Sequence, residues 1–246
     1  NKNNFLQKFR KVINRKIRKS TNNMAKGPAM SYEEAIQAML VGIDAVKNAK
    51  DMHFDILGVG EMGIGNTSTS SAVLSSLTNV KVDDVVGRGG GITDETFAWK
   101  KQVIKKAIEI NKPDKKDPIE VVSKVGGFDI AAMAGVFLGA AYYKIPVVID
   151  GFISAVAALI AFRLNSKTKD YMFTSHDSRE LGFKVTMEEL KLRPILNLDM
   201  ALGEGSGCPL AFSIIDSACA VMNNMATFEE AEINDSYLDE LKKMDK

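Results

Sequence analysis

Apolar residues gather in three short runs, Phe54–Gly60, Pro146–Phe152 and Asp170–Thr174, each leading into a glycine or polar turn. Runs this short, bounded by turn residues, predict strands buried on both faces, as in a parallel sheet. Between them the period changes to that of a helix. Ser31-Tyr-Glu-Glu34 is a capping-box pattern, and the helix it opens runs to about Asn48 with Ala35, Met39, Ile43 and Val46 on one face. Stretches rich in small residues predict helices over Ser70–Leu77, from the glycines of Val125–Asp129 through Tyr143, over Ser154–Leu164, and from Leu210 to about Met225. Asp94–Ile110 reads as a further helix, Phe5–Ile17 as a basic amphipathic one, and Glu229–Lys246 as a charged amphipathic tail. Asn111–Ile119 is polar with two prolines and reads as a surface connection.

Strands alternating with helices predict an α/β fold, a Rossmann-like parallel sheet with helices on both faces. A small helical part comes from the chain ends. The expected divisions are an N-terminal helical segment over 1–50, an α/β catalytic core over 51–227 and a helical tail over 228–246. Ligands of such sheets bind at the carboxyl ends of the strands. The turns Gly60–Thr67, Gly87–Gly91, Asp150–Phe152 and Leu202–Gly207 all fall at such ends, so the site is expected to be built from them.

Composition narrows the function classes. Apolar residues make up 46% and charged residues 26%, the balance of a globular protein able to bury a core without metals or disulfides. A net charge of +1 gives no general reason to expect a nucleic-acid partner or an acidic membrane surface. Lys8, Arg10, Lys11, Arg15, Lys16, Arg18 and Lys19 crowd the N-terminal stretch, a pattern that a solvated helix face explains. Cys208 and Cys219, with only His53 and His176 to join them, do not form a metal-ligand pattern, so no metal or other cofactor is expected. Two scattered cysteines and no signal-peptide pattern suit a reducing, cytoplasmic setting. Ile145–Phe162 carries Asp150 and reads as a strand and helix rather than a membrane span. The chain opens at Asn1 without Met, as a processed or trimmed product would.

One glycine turn alone says little, because glycine serves wherever a chain bends with φ above zero. A dinucleotide fingerprint fits poorly. Gly58-Val-Gly-Glu-Met-Gly63 places Glu61 where a pyrophosphate would be repelled, and no ribose-binding acid follows at the usual distance. Nor is a P-loop lysine pattern present.

The ordered set is more specific. Gly60-Glu-Met-Gly-Ile-Gly-Asn-Thr67, Gly87-Arg-Gly, Lys100, Val148-Ile-Asp-Gly-Phe152 and Leu202-Gly-Glu-Gly-Ser-Gly207 together resemble the nicotinate-nucleotide–dimethylbenzimidazole phosphoribosyltransferase family. The likeness runs from about Ile13 to about Thr227. It implies a pentosyltransferase that moves the phosphoribosyl group of nicotinate mononucleotide to a benzimidazole-type base, for the lower ligand of cobamides. The β-nucleotide becomes an α-nucleotide, so the base enters opposite the departing nicotinate. That family has an upstream segment, absent here, which helps to form the base pocket; the resemblance therefore implies better binding of the nucleotide than of the free base. It also implies a homodimer.

The resemblance assigns the proton acceptor to Glu204. Its flanking glycines admit a planar ligand, and desolvation there would raise a glutamate pKa from about 4.3 toward a useful range. Read locally, Glu204 could instead cap a helix starting near Pro209. For the substrate, the resemblance implies Glu61 and Lys100 near the ribosyl phosphate, with Gly63, Gly65, Asn66, Thr67, Gly89 and Gly90 as its cradle. Asp150, Gly151, Phe152, the Ser175–Ser178 loop with Ser178, Leu202 and Gly203 complete the rim. Composition does not separate Lys100 from Lys101, and His176 is an alternative proton acceptor. The contrasting class is a non-catalytic module that keeps only the nucleotide site.

Overall fold

The computed structural model describes residues 13–234. Strands β1 (Leu57–Val59), β2 (Val147–Ile149) and β3 (Met172–Thr174) form a parallel sheet in that spatial order. Leu57 is in register with Val147, and Val147 with Met172, so the three strands end at one level. All three residues of β2 are buried. Successive strand residues point to opposite faces, so both faces of the sheet are covered. β1 is shorter than its apolar run because Gly60 already lies against the 204–205 backbone; a Cβ at Gly60 would come within 2.1 Å of the Gly205 nitrogen.

Helices α1 (Tyr32–Asp51), α2 (Asn66–Thr78), α3 (Val82–Val85), α4 (Asp94–Asn111), α5 (Pro118–Val125), α6 (Phe128–Tyr143), α7 (Phe152–Leu164), α8 (Leu181–Leu190) and α9 (Cys208–Asn224) complete the described chain, with a 3-10 turn over Ser166–Tyr171. The capping box of α1 forms as its sequence predicts. Ser31 Oγ accepts from the Glu34 N–H at 3.1 Å, and Glu34 Oε2 accepts from the Ser31 N–H at 2.9 Å. Arg18 of the basic run pairs with Glu34 at 2.6 Å and lies over Phe128 at 5.3 Å, so one of those cations serves packing.

Several expectations need correction. Part of the surface connection is helix α5: Asp117 caps it, Pro118 occupies its first turn, and Val121, Val122 and Val125 are buried. The short helices α3 and α8 were not anticipated. Of the helix expected over Phe5–Ile17, residues 13–17 are not helical, and the rest lies outside the described residues. The tail beyond Asn234 lies outside them too; residues 228–232 form a turn.

No boundary appears at 50/51. Residues to Ala211 cluster as one compact unit and those from Phe212 as a second. The first unit includes α1 because α1 and α6 meet through glycines. A Cβ at Gly135 would lie 1.9 Å from the Met39 carbonyl oxygen, and one at Gly42 would lie 1.9 Å from that of Ala132. Backbone cannot yield there as a flexible side chain can. Gly135→Val is therefore expected to cost about 3 kcal/mol or more, the upper range for overpacking, read as a lower urea midpoint; an unchanged midpoint would refute this packing.

Candidate active site

All three strands end on one cleft of about 280 Å³. The chain after β1 contributes residues 60–67, that after β2 residues 150–154, and that after β3 His176, Ser178 and Glu180. Residues 89–90 and 201–204 close it. Of the fifteen residues singled out by sequence, fourteen line this cleft. The fifteenth, Lys100, does not.

Three helices start at its wall, α8 behind Glu180 and two behind glycines. Gly65 precedes α2 in the left-handed region at φ 81°, and Gly151 precedes α7; neither start has a side-chain cap. By contrast α1, α4 and α5 are capped by Ser31, Thr93 and Asp117. Helix starts carry unsatisfied N–H groups and a partial positive charge, so the two behind glycines suit an anion. No lysine or arginine lines the cleft among the described residues, whereas Glu61, Asp150, Glu180 and Glu204 do. A bound phosphate would have to rely on amides and on hydroxyls such as those of Thr67 and Ser178.

Lys100 acts one step back. Its Nζ donates to Thr67 Oγ1 at 3.0 Å and to the Gly87 carbonyl at 2.8 Å, tying the α2 start to the 87–90 turn. Burial holds its pKa below the ordinary lysine value, with the Glu180 charge opposing. Lys101 turns elsewhere, over the Phe97 ring and 3.8 Å from Asp83. Structure thus separates two lysines that composition cannot. Glu180 pins the same turn from the other side, accepting from the Gly89 N–H at 3.1 Å.

Asn66 uses its side-chain amide to bridge two carboxylates, Glu61 and, at 2.8 Å, Asp129. Burial raises the Glu61 pKa; Asp129 and Asp150 push the same way, against hydrogen bonds from Asn66 and Gly63. The folded protein therefore binds more protons here than the unfolded chain, and stability declines as pH rises from the unfolded pKa toward the raised one. Glu61→Gln keeps the acceptor for Asn66 and removes one negative charge. It should melt higher than wild type at pH 7, and the gap should close below about pH 4, where Glu61 is protonated in both states. A gap that persists at pH 4 would contradict this origin.

Asp150 organises the floor and is 2% exposed. Its carboxylate accepts from the Gly205 N–H at 3.0 Å and the Gly207 N–H at 2.8 Å. The 202–207 turn just before Cys208 is thus anchored by Asp150. Gly203, Glu204 and Gly205 all have left-handed backbones, at φ 72°, 57° and 78°. Glycine takes that conformation without cost, while a residue with a Cβ is strained in it. The Glu204 side chain is exposed, contrary to the expected desolvation, since its glycine neighbours have no side chains with which to cover it. The Cys208 thiol is pushed up to about 12 by burial and the Asp150 charge, which removes it as a nucleophile at neutral pH.

Sequence reading missed Glu180, Asp129 and the floor contacts of Ser154 and Ser175. Ser154 Oγ accepts from the Asp150 N–H at 3.0 Å, and Ser175 Oγ donates to the Asp150 carbonyl at 2.9 Å. The Asp150-Gly-Phe string lies one turn before Ser154, and the polar Ser175–Ser178 loop was expected at the rim, but neither signal gave the contacts with Asp150.

The arrangement defines an α/β protein with a glycine-walled cleft at the carboxyl edge of its parallel sheet. A family model described as Phosphoribosyltransferase matches residues 3–233, and the chain belongs to that family. A relative named nicotinate-nucleotide–dimethylbenzimidazole phosphoribosyltransferase, from Clostridium perfringens, is 58% identical over 231 residues, 94% of this chain and 64% of that protein. One of the same name from Clostridium acetobutylicum is 57% identical over 90% of this chain and 63% of its own length. The chain thus spans somewhat less than two thirds of these relatives. The crystal structure of CobT from Thermus thermophilus matches with a TM-score of 0.85 at 38% identity, over 91% of this chain and 67% of that one.

Proposed function

We propose that the chain transfers the 5-phosphoribosyl group of nicotinate mononucleotide to 5,6-dimethylbenzimidazole or a similar base, releasing nicotinate and forming an α-ribazole 5′-phosphate for cobamide assembly. The observation that carries this reading is the Asp150-anchored turn that holds Glu204 at the mouth of a cleft with two uncapped helix starts behind glycines. In this reading the nucleotide phosphate lies against amides of the Gly63–Thr67 and Gly89–Gly90 turns and the α7 start. Thr67, Ser178 and the backbone near Gly151 and Phe152 fix the ribosyl group, and Lys100 holds the phosphate turn in place. Leu202 and Gly203 border the ring. Met62, Ile64 and Leu202 are 75%, 95% and 69% exposed along the cleft and offer an apolar surface to a planar base.

The attacking azole nitrogen forms a bond to C1′ as the bond to the pyridinium nitrogen breaks, and that electron pair leaves with neutral ring nicotinate. The azole must lose its N–H proton, which Glu204 accepts. No acid is needed for the leaving group. Positioning supplies several kcal/mol of the barrier reduction.

The same reading makes the protein a cytoplasmic homodimer. No helix among the described residues is long and apolar enough to cross a membrane. In the unit from Phe212, Ile214, Val221, Met222, Met225 and Phe228 are exposed, an apolar surface suited to a second copy. The exposure of Glu204 favours a second reading, a nucleotide-binding module without turnover. Chromatographic assay of nicotinate release separates the two. Release that depends on added dimethylbenzimidazole supports the transferase; tight nucleotide binding with no release supports the module.

A further inference from the structure

His176 is 1% exposed, yet it lines the cleft floor, and the proposed reaction gives it no step. Its hydrogen bonds decide which ring nitrogen faces the ligand. Ser175 Oγ lies 2.9 Å from the Asp150 carbonyl oxygen, which can only accept, so the single hydroxyl proton is committed there. The same Oγ lies 3.0 Å from His176 Nδ1. With its proton used, Oγ must accept, so Nδ1 carries a hydrogen. The Asp150 carboxylate, 3.9 Å from Nδ1, favours the same assignment. Nδ1 faces Gly207, where a Cβ would come within 2.3 Å of it. The far edge of the ring faces Gly151, where a Cβ would lie 3.9 Å from both Cε1 and Nε2. Nε2 is therefore the nitrogen turned toward the cleft.

We propose that His176 Nε2 holds a ribose hydroxyl of the bound nucleotide. In the neutral ring Nε2 is an acceptor and needs a donor. A nicotinate nucleotide presents its phosphate and its ring carboxylate as acceptors, and only its 2′ and 3′ hydroxyls as donors. A hydroxyl also satisfies Nε2 if the ring is charged, since it can accept as well as donate. An anionic oxygen satisfies only the charged ring, and an azole N–H only the neutral one. His176 is thus a binding residue for the sugar, and Ser175 is the positioning residue that fixes its tautomer. The inference rests on the nucleotide reading above.

The test is calorimetry with nicotinate mononucleotide and its 2′-deoxy and 3′-deoxy analogues, on wild type, His176→Phe, His176→Gln and Ser175→Ala. Wild type should bind the ribonucleotide about tenfold or more tighter than one deoxy analogue, as the loss of a buried hydrogen bond implies. His176→Phe should bind both alike, His176→Gln should keep part of the preference through its amide, and Ser175→Ala should fall between. Full discrimination in folded His176→Phe, or in folded His176→Asn if the Phe variant does not fold, overturns this assignment alone. Wild type that binds the nucleotides without any discrimination also overturns it. Wild type that binds none of the nucleotides overturns the functional reading and this inference with it.

Discussion

Glu204→Gln is expected to lower kcat by roughly 10² to 10⁴ while donor affinity stays nearly constant, the signature of a lost general base. Glutamine keeps the shape and hydrogen-bonding reach of the side chain but cannot take up the azole proton. The backbone allows a companion measurement. Glu204 sits at φ 57°, and a residue with a Cβ is strained there by about 1 kcal/mol relative to glycine. Glu204→Gly should therefore raise the melting temperature while abolishing turnover. A residue that weakens the free protein and serves only the reaction would show that opposition. Normal turnover in Glu204→Gln would remove it from the mechanism, and His176 would become the next proton acceptor to examine.

Asp150→Asn should have an effect of similar size on turnover and a large one on stability. Both carboxylate oxygens of Asp150 are used, one by Gly205 N–H and one by Gly207 N–H. An amide presents one acceptor and one NH2 donor, so one of the two backbone donors would meet another donor. Leaving such a buried group unpaired costs about 1–3 kcal/mol, and replacing charge-assisted bonds adds to that. The turn would then no longer hold Glu204 in one place. Loss of alignment of that kind can cost about 10² in rate. The check is turnover per folded molecule, measured well below the variant's melting temperature. A destabilised variant with undiminished turnover would show that Asp150 supports the fold and not the position of Glu204.

Much of this architecture was legible in the residues. The apolar runs at β1, β2 and β3 and the Ser31–Glu34 capping box are local signals, and each formed where its pattern placed it. Fourteen of the expected residues meet at one cleft. Only the turns over Gly60–Thr67 and Asp150–Phe152 follow strands, however; Gly87–Gly91 follows helix α3 and Leu202–Gly207 follows no strand, contrary to the expectation that all four lie at strand ends. What the sequence could not show depends on contacts between distant segments. Lys100 and Lys101 are alike in composition, and only the fold sends one to Thr67 and the other to Phe97 and Asp83. Glu180 carries no motif, and its bond to Gly89 joins residues 91 positions apart. The burial expected at Glu204 failed for a related reason. Small neighbours suggest a close-packed site, but glycine also leaves an adjacent side chain uncovered.

Helix α5 shows the same limit. Asp114, Asp117 and two prolines mark the end of a helix and a turn, yet Asp117 with Pro118 is also a strong helix start. The buried valines Val121, Val122 and Val125 decide between the two, and their burial comes from tertiary packing. Likewise the glycines of α1 and α6 look like helix weakeners until the two backbones are seen in contact.

The most direct measurement is the product itself, followed by NMR as nicotinate mononucleotide and 5,6-dimethylbenzimidazole are incubated with the protein. Attack at C1′ opposite the leaving group predicts one equivalent of α-configured ribotide for each equivalent of nicotinate, and no ribose 5-phosphate. A β-configured product, or nicotinate accompanied by ribose 5-phosphate in place of a ribotide, would contradict the account.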